Sequence, residues 1–218
     1  MVYKKGPPYK VRPVKEICED IREAGKAYGK KVKSVFFPAG NTIAMPTEDL
    51  AAICRFAVET FPLLQRITVY GSSQYVERKG RTGLKALREA GLSRIHVGLE
   101  SGDDLILRKV KKGTTASEQI KAGRMVKEAG IELSEYVILG LGGIERPEAH
   151  AKETAKAINA IEPDFLRLRT LVPKTNTLLL HEINKGRFKL LSPHQILQAS
   201  KLLIENMRCR TILTSDQI

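Results

Sequence analysis

Glu100 carries the sharpest chemistry in this sequence. It closes the apolar run Arg94–Leu99 and stands between two glycines in Gly98-Leu99-Glu100-Ser101-Gly102. A carboxylate at the end of a buried strand, beside residues without side chains, suits the hydroxyls of a ribose or an ammonium group. The competing assignment is a helix-capping acid beside Asp103 and Asp104. Arg167 and Arg169 alternate with Leu166 and Leu168, so both guanidinium groups fall on one face of a strand. Facing inward they suit an anionic ligand, and facing outward their stems lie among helices; both readings stay open. Glycines recur at the ends of the apolar runs, at Gly40, Gly71, Gly98 and Gly140, where backbone can approach a ligand closely. The histidines, at 96, 150, 181 and 194, share no metal-ligand spacing and read as surface or packing residues. Gly140-Leu141-Gly142-Gly143 does not complete a dinucleotide fingerprint.

These residues need elements to hold them. Apolar, β-branched runs lie at Val32–Phe37, Arg66–Tyr70, Arg94–Leu99, Glu132–Leu139 and Asp164–Leu171. Helical periodicity fills the intervals, beginning with Val14, Ile17, Ile21 and Ala24. The next helix opens at Pro46-Thr47-Glu48-Asp49, with Thr47 as its cap and Leu50, Ile53, Cys54, Ala57 and Val58 as its apolar face. Further helices read at 82–90, 115–129, 147–161 and 194–207, and Gly91 and Gly130 sit where left-handed C-terminal caps belong. That cadence is a repeated βα unit, so the fold class is α/β with a parallel sheet, either doubly wound or barrel-like. Five units fall short of a full eightfold barrel, which takes ~250 residues. The final string TILTSDQI reads as the start of another strand.

Composition excludes several classes. The 218 residues carry 42% hydrophobic and 28% charged side chains, ordinary globular values, and no 18-residue apolar window spans a membrane. The N-terminal MVYKKGPPYKVRP has no apolar core of a secretory signal. Three cysteines, Cys18, Cys54 and Cys209, argue against a disulfide framework, and no two lie close enough to make a local metal hook. The expectation is a single soluble, cytoplasmic domain over residues 1–218. A net charge of +13 favours anionic partners such as RNA, phosphate esters or acidic proteins. The basic residues are scattered, and their densest run is Arg108, Lys109, Lys111 and Lys112.

The string IHVGLESGDDLILRKVKKGTT resembles the fourth-strand segment of the radical S-adenosylmethionine (SAM) superfamily, in its branch near coproporphyrinogen-oxidase-like and elongator-type proteins. The flanking pieces agree in order. FFPAGN looks like the family's SAM-binding turn, EYVILGLGG like its fifth strand, and FLRLRTLVPKTNTLL like its sixth. YKKGPPYKVRPVKEICEDI resembles the segment that follows the family's cluster loop. The resemblance covers essentially the whole chain and implies a partial TIM-like (β/α)6 barrel whose first strand is missing here.

It also implies cofactors and roles. Relatives bind SAM and a [4Fe–4S] cluster through a CxxxCxxC loop; that motif does not occur in this sequence, so the cluster is expected in the parent protein and not in this chain. By the resemblance, the turn Pro38, Ala39, Gly40 and Asn41 receives the SAM amino group, Glu100 the ribose and Lys112 the carboxylate. Ile138 packs on the adenine, with Leu171 and Val172 lining the same face. Tyr136 stands where some relatives carry an acid. The chain is thus expected to be a core fragment, cut at both ends and inactive alone, of an enzyme that cleaves SAM reductively to a 5′-deoxyadenosyl radical. Two other readings are a cluster-free module binding SAM, a nucleoside or RNA, and a phosphate-ester enzyme using Lys112, Arg167 and Arg169. An exposed Val32–Phe37 edge would favour a homodimer.

Overall fold

The computed structural model of the chain describes residues 10–38 and 40–215. Six strands, β1 (Ser34–Phe37), β2 (Arg66–Gly71), β3 (Leu92–Glu100), β4 (Glu132–Leu139), β5 (Phe165–Thr170) and β6 (Ile212–Ser215), form one parallel sheet in sequential order. Among the described residues the helices are α1 (Val14–Tyr28), α2 (Thr47–Thr60), α3 (Ser73–Glu89), α4 (Asp104–Lys109), α5 (Ala116–Glu128), α6 (Pro147–Ile161), α7 (Leu178–Asn184) and α8 (Pro193–Glu205). At least one helix lies between every two strands, the crossover that parallel neighbours require. Sequential order excludes the doubly wound reading, in which strand order reverses midway. The five expected strands are all present, each starting within two residues of its expected place. Ile212–Ser215, within the terminal string, form β6, with Leu213 in register with Leu166.

The described residues divide into two compact units. One holds residues 10–97 and Ala122–Ser134; in it α1 packs on α2, and α2 on α3. Leu50, Ile53, Cys54, Ile67, Val69, Leu84, Leu87 and Ile95 are buried there. Of the α1 stripe, Ile21 alone is fully buried, and Val58 of α2 is 47% exposed. On the opposite face of β1–β3 lies an aromatic row, with Phe36 to Tyr70 at 5.0 Å and Tyr70 to His96 at 5.7 Å between ring centroids. The other unit holds Gly98–Lys121 and residues 135–215, where α6 packs on α8. Its core includes Leu99, Leu107, Val137, Leu139, Ile158, Leu166, Leu168 and Leu203.

Local chemistry accounts for the departures from expectation. The helix expected at 82–90 is the second half of α3, which starts at Ser73 and breaks at Gly80, with φ 67° and ψ 173°. The charged string Glu77-Arg78-Lys79-Gly80-Arg81 conceals the first half's apolar periodicity. Thr47 is the first residue of α2 and makes no side-chain cap; Pro46 holds the cap position. Helices α4 and α7, of six and seven residues, are too short for periodicity to reveal, and their capping side chains Asp103 and Thr177 mark them instead. Gly91 and Gly130 do adopt positive φ, at 107° and 73°. No helix among the described residues is long and apolar enough to cross a membrane.

Candidate functional site

β3 delivers Glu100 to its C-terminal end in an uncommon backbone state, φ 61°. A left-handed φ is rare outside glycine and costs about 1–3 kcal/mol, so it persists only where its surroundings over-determine it. Here they do. The Ser101 N–H donates to the Leu99 carbonyl at 2.7 Å, and the Gly102 N–H donates to Thr154 Oγ1 at 2.9 Å. The Asp103 N–H donates to Ser101 Oγ at 3.0 Å. Asp103 caps α4 by accepting from Leu105 N at 2.8 Å and is paired with Arg146 at 2.8 Å. The capping role that competed for Glu100 therefore belongs to Asp103.

The freed Glu100 carboxylate turns back over Gly98, where Lys112 Nζ meets its Oε1 at 3.1 Å. The two side chains are 23% and 21% exposed, so the pair is shielded yet reachable from solvent. A Cβ on Gly98 would strike Glu100 Oε1 and lie 3.0 Å from Lys112 Nζ. Glycine at 98 is what admits this pair. Lys112 arrives on the link between α4 and α5, where Lys111 and Gly113 have φ 55° and 76°.

Beside them lies an acid that its sequence context did not single out. Glu135 of β4 is fully buried, accepts a hydrogen bond from the backbone of Leu99, and leaves Oε2 without a partner among the described residues. Burial pushes its carboxyl up to about 8, reinforced by the Glu100 charge and opposed by Lys112 and the Leu99 hydrogen bond. Two carboxyl groups and one ammonium thus share this corner. At neutral pH the neutral form of Glu135 leaves the ammonium to Glu100. The signal available in the sequence was an acid within the apolar string Leu133-Ser134-Glu135-Tyr136-Val137.

Arg167 and Arg169 lie on the face of β5 opposite the buried Leu166 and Leu168. Their guanidinium carbons stand 5.7 Å and 5.1 Å from the centre of the Tyr136 ring, which resolves the open question of facing in favour of the Tyr136 side. Ile138 is partly buried on the same face of β4 as Tyr136. The Leu171 N–H donates to the Leu139 carbonyl at 2.9 Å, while Val172 is 60% exposed. In the other unit, Gly40 has no heavy atom of the described residues within 4 Å of where a Cβ would stand. Asn41 Oδ1 is buried without a partner among the described residues, although its amide nitrogen reaches Ser72 Oγ at 3.5 Å. Ala39 lies outside the described residues.

The glycine signal divides under the structure. A Cβ on Gly102 would fall against the Glu153 backbone, one on Gly142 would lie 2.8 Å from the Arg146 carbonyl, and one on Gly140 2.7 Å from Ile196 Cδ1. These glycines serve the protein's own packing, and Gly98 makes room for the Glu100–Lys112 pair; at Gly40 the space is open among the described residues. The basic run divides as well. Lys112 turns to Glu100 and Lys109 to Glu145 at 3.1 Å, while Arg108 and Lys111 border a depression of 350 Å³ on the α4–α5 link. Of the histidines, His181 and His194 are exposed, His96 belongs to the aromatic row, and His150 is buried in a polar network. Burial pushes all three cysteine thiols up, Cys54 to about 12, and no cluster of three metal-ligating side chains occurs among the described residues.

Comparison with known proteins joins these observations. The family profile described as the Radical SAM superfamily matches residues 1–158. Protein MJ0486 of Methanocaldococcus jannaschii is 29% identical over 185 residues, covering 84% of this chain and 56% of its own length. The chain thus spans little more than half of that relative. The solved structure of an N-terminally deleted Elp3 from Methanocaldococcus infernus superposes with a TM-score of 0.65 at 16% identity, over 93% of this chain and 52% of its own. Coproporphyrinogen III oxidase HemN from Escherichia coli does so with a TM-score of 0.64 at 18% identity, over 90% and 47%. Likeness at these identities concerns the fold.

Proposed function

This chain belongs to the radical SAM superfamily, and on that premise we propose that it is the SAM-binding core of a radical SAM enzyme acting on an anionic substrate. The observation that carries the reading is the shielded but reachable Glu100–Lys112 pair at the end of β3, held over Gly98 by a strained backbone. SAM offers a ribose diol and a carboxylate, the complements of these two charges. Before binding, each neutralises the other. On binding, Lys112 exchanges Glu100 for the ligand carboxylate while Glu100 accepts from the ribose hydroxyls. Lys112 keeps a carboxylate partner before and after the exchange, so no charge is left unpaired in this shielded corner. Ile138, on the Tyr136 face of β4, packs on the adenine. When bound beside a reduced [4Fe–4S] cluster, SAM supplies a 5′-deoxyadenosyl radical for hydrogen abstraction. Cys18, Cys54 and Cys209 do not fit such a cluster: they lie far apart in sequence, and burial favours their protonated thiols. No step is assigned to them. The substrate's anionic group is assigned to Arg167 and Arg169.

Calorimetry with SAM and with 5′-deoxyadenosine, which lacks the carboxylate, tests the site. Both ligands are expected to bind weakly without the cluster. Lys112→Ala should weaken SAM about tenfold and leave 5′-deoxyadenosine unchanged, since one charge-assisted contact is worth about 1.5–3 kcal/mol. Glu100→Gln should weaken both. Equal loss for the two ligands in Lys112→Ala removes the role of Lys112, and absence of binding at millimolar concentration removes the site.

A further inference from the structure

We propose that His150, on α6, is a positioning residue that ties the end of β4 to the loop after β3, so that Ile138 and Glu100 address the same ligand. This rests on the nucleoside reading of those two residues. His150 is 3% exposed and bonded at both ring nitrogens. Nε2 stands 3.0 Å from the Ile138 carbonyl, which can only accept, so Nε2 carries the proton. Nδ1 of a neutral ring is then an acceptor, and Ser101 Oγ at 2.8 Å is its donor. Ser101 Oγ in turn accepts the Asp103 N–H at 3.0 Å. The chain of donors runs in one direction, from Asp103 N–H through the Ser101 hydroxyl to His150 Nδ1, and from Nε2–H to Ile138.

The neighbouring groups reinforce this arrangement. Thr154 Oγ1, 3.3 Å from Nδ1, accepts the Gly102 N–H at 2.9 Å and so holds the same loop to the same helix. Burial pushes the imidazolium form of His150 down, against the Asp103 charge and the Ile138 hydrogen bond. The ring therefore stays neutral near neutral pH, and the tautomer persists. Ser101 is the residue after Glu100, so the tie also fixes the strained turn from which the carboxylate projects.

A double-mutant cycle between His150 and Glu100, which do not touch, separates positioning from general stabilisation. His150→Phe removes both bonds and keeps a planar ring, and His150→Gln keeps a donor for the Ile138 carbonyl. Against 5′-deoxyadenosine, His150→Phe and Glu100→Gln should each weaken binding about tenfold. The double variant should bind about as weakly as either single one, because a misplaced Glu100 has nothing further to lose. His150→Gln should recover part of the loss. Should His150→Phe fail to fold, Ser101→Ala, which removes the Nδ1 donor and the acceptor of the Asp103 N–H but keeps the Ile138 bond, takes its place in the cycle. Additive losses of about a hundredfold in the double variant overturn the positioning role, as does unchanged affinity in a folded His150 variant. Amide hydrogen exchange of the ligand-free chain reads the tie itself: faster exchange at Ser101 and Gly102 in the variant is expected, and unchanged exchange overturns it. If the wild-type chain binds no nucleoside, the site reading fails and the positioning role with it, even where exchange shows the tie intact.

Discussion

Glu135→Gln is expected to stabilise the fold, by an amount that grows with pH. The Glu135 carboxyl is raised from its ordinary 4.5 to about 8 in the folded chain, chiefly by burial. Between those values the unfolded chain has released the proton while the folded chain still holds it. Folding then takes up a proton, and wild-type stability falls as pH rises. The contribution is neutral below about pH 4.5, declines to about pH 8, and is level beyond, where both states are ionised. Each pH unit in that window costs about 1.4 kcal/mol, so the penalty is on the order of 3 kcal/mol at pH 7 and about 5 kcal/mol above pH 8. Glutamine keeps an acceptor for the Leu99 backbone and removes the ionisable group. Urea unfolding of both proteins between pH 4 and pH 9 should show curves that meet at the acid end and diverge toward the alkaline. Parallel curves, or a variant less stable at every pH, would mean that Lys112 stabilises an ionised Glu135 in the native state.

Gly102→Ala should be among the most damaging single-methyl additions in the chain. The new Cβ would fall against the carbonyl oxygen and carbon of Glu153 and 2.8 Å from Thr154 Cα, all of them backbone of α6. A side chain can rotate away from such a contact; a helix backbone cannot. Overpacking costs about 1–3 kcal/mol and more where nothing yields. Displacing the loop also breaks the 2.9 Å bond from Gly102 N–H to Thr154, worth about 1 kcal/mol. The expected loss is about 3–4 kcal/mol, or about 6–16 °C in Tm for a chain of this size. Gly40→Ala is the control: none of the described residues stands within 4 Å of its Cβ, so its Tm should hold within about 2 °C. A Gly102→Ala protein that melts with the wild type would show that α6 and the β3 loop separate readily. Nucleoside affinity should fall with Gly102→Ala as well, since the same movement carries Glu100 away from Lys112.

Much of the architecture was legible because it is encoded segment by segment. Alternating and continuous apolar runs mark strands, three- and four-residue spacing marks helices, and the helix between each two strands makes neighbours parallel, whereas their sequential order is decided by the fold. Glu100 was legible for a similar reason, being an acid between glycines at the end of an apolar run. Arg167 and Arg169 were placed on a common face by the two-residue period of a strand. Which face that is, the period could not say, and contact with Tyr136 decides it.

Other features depend on what lies across the fold. Gly98 and Gly102 look alike in sequence, yet one leaves room for the Glu100–Lys112 pair and the other for the backbone of α6. Glu135 is an acid in an apolar strand, and its shifted titration arises from Glu100, Lys112 and Leu99, brought to it by β3 and the α4–α5 link. His150 stands 49 residues from Ser101, in a helix whose spacing places it on the buried face without naming its partners. Secondary structure follows from side-chain period within a segment, a property each segment carries with it. Hydrogen-bond partners, desolvation and close backbone approach follow from which turn of one element meets which end of another, and only tertiary packing sets that meeting.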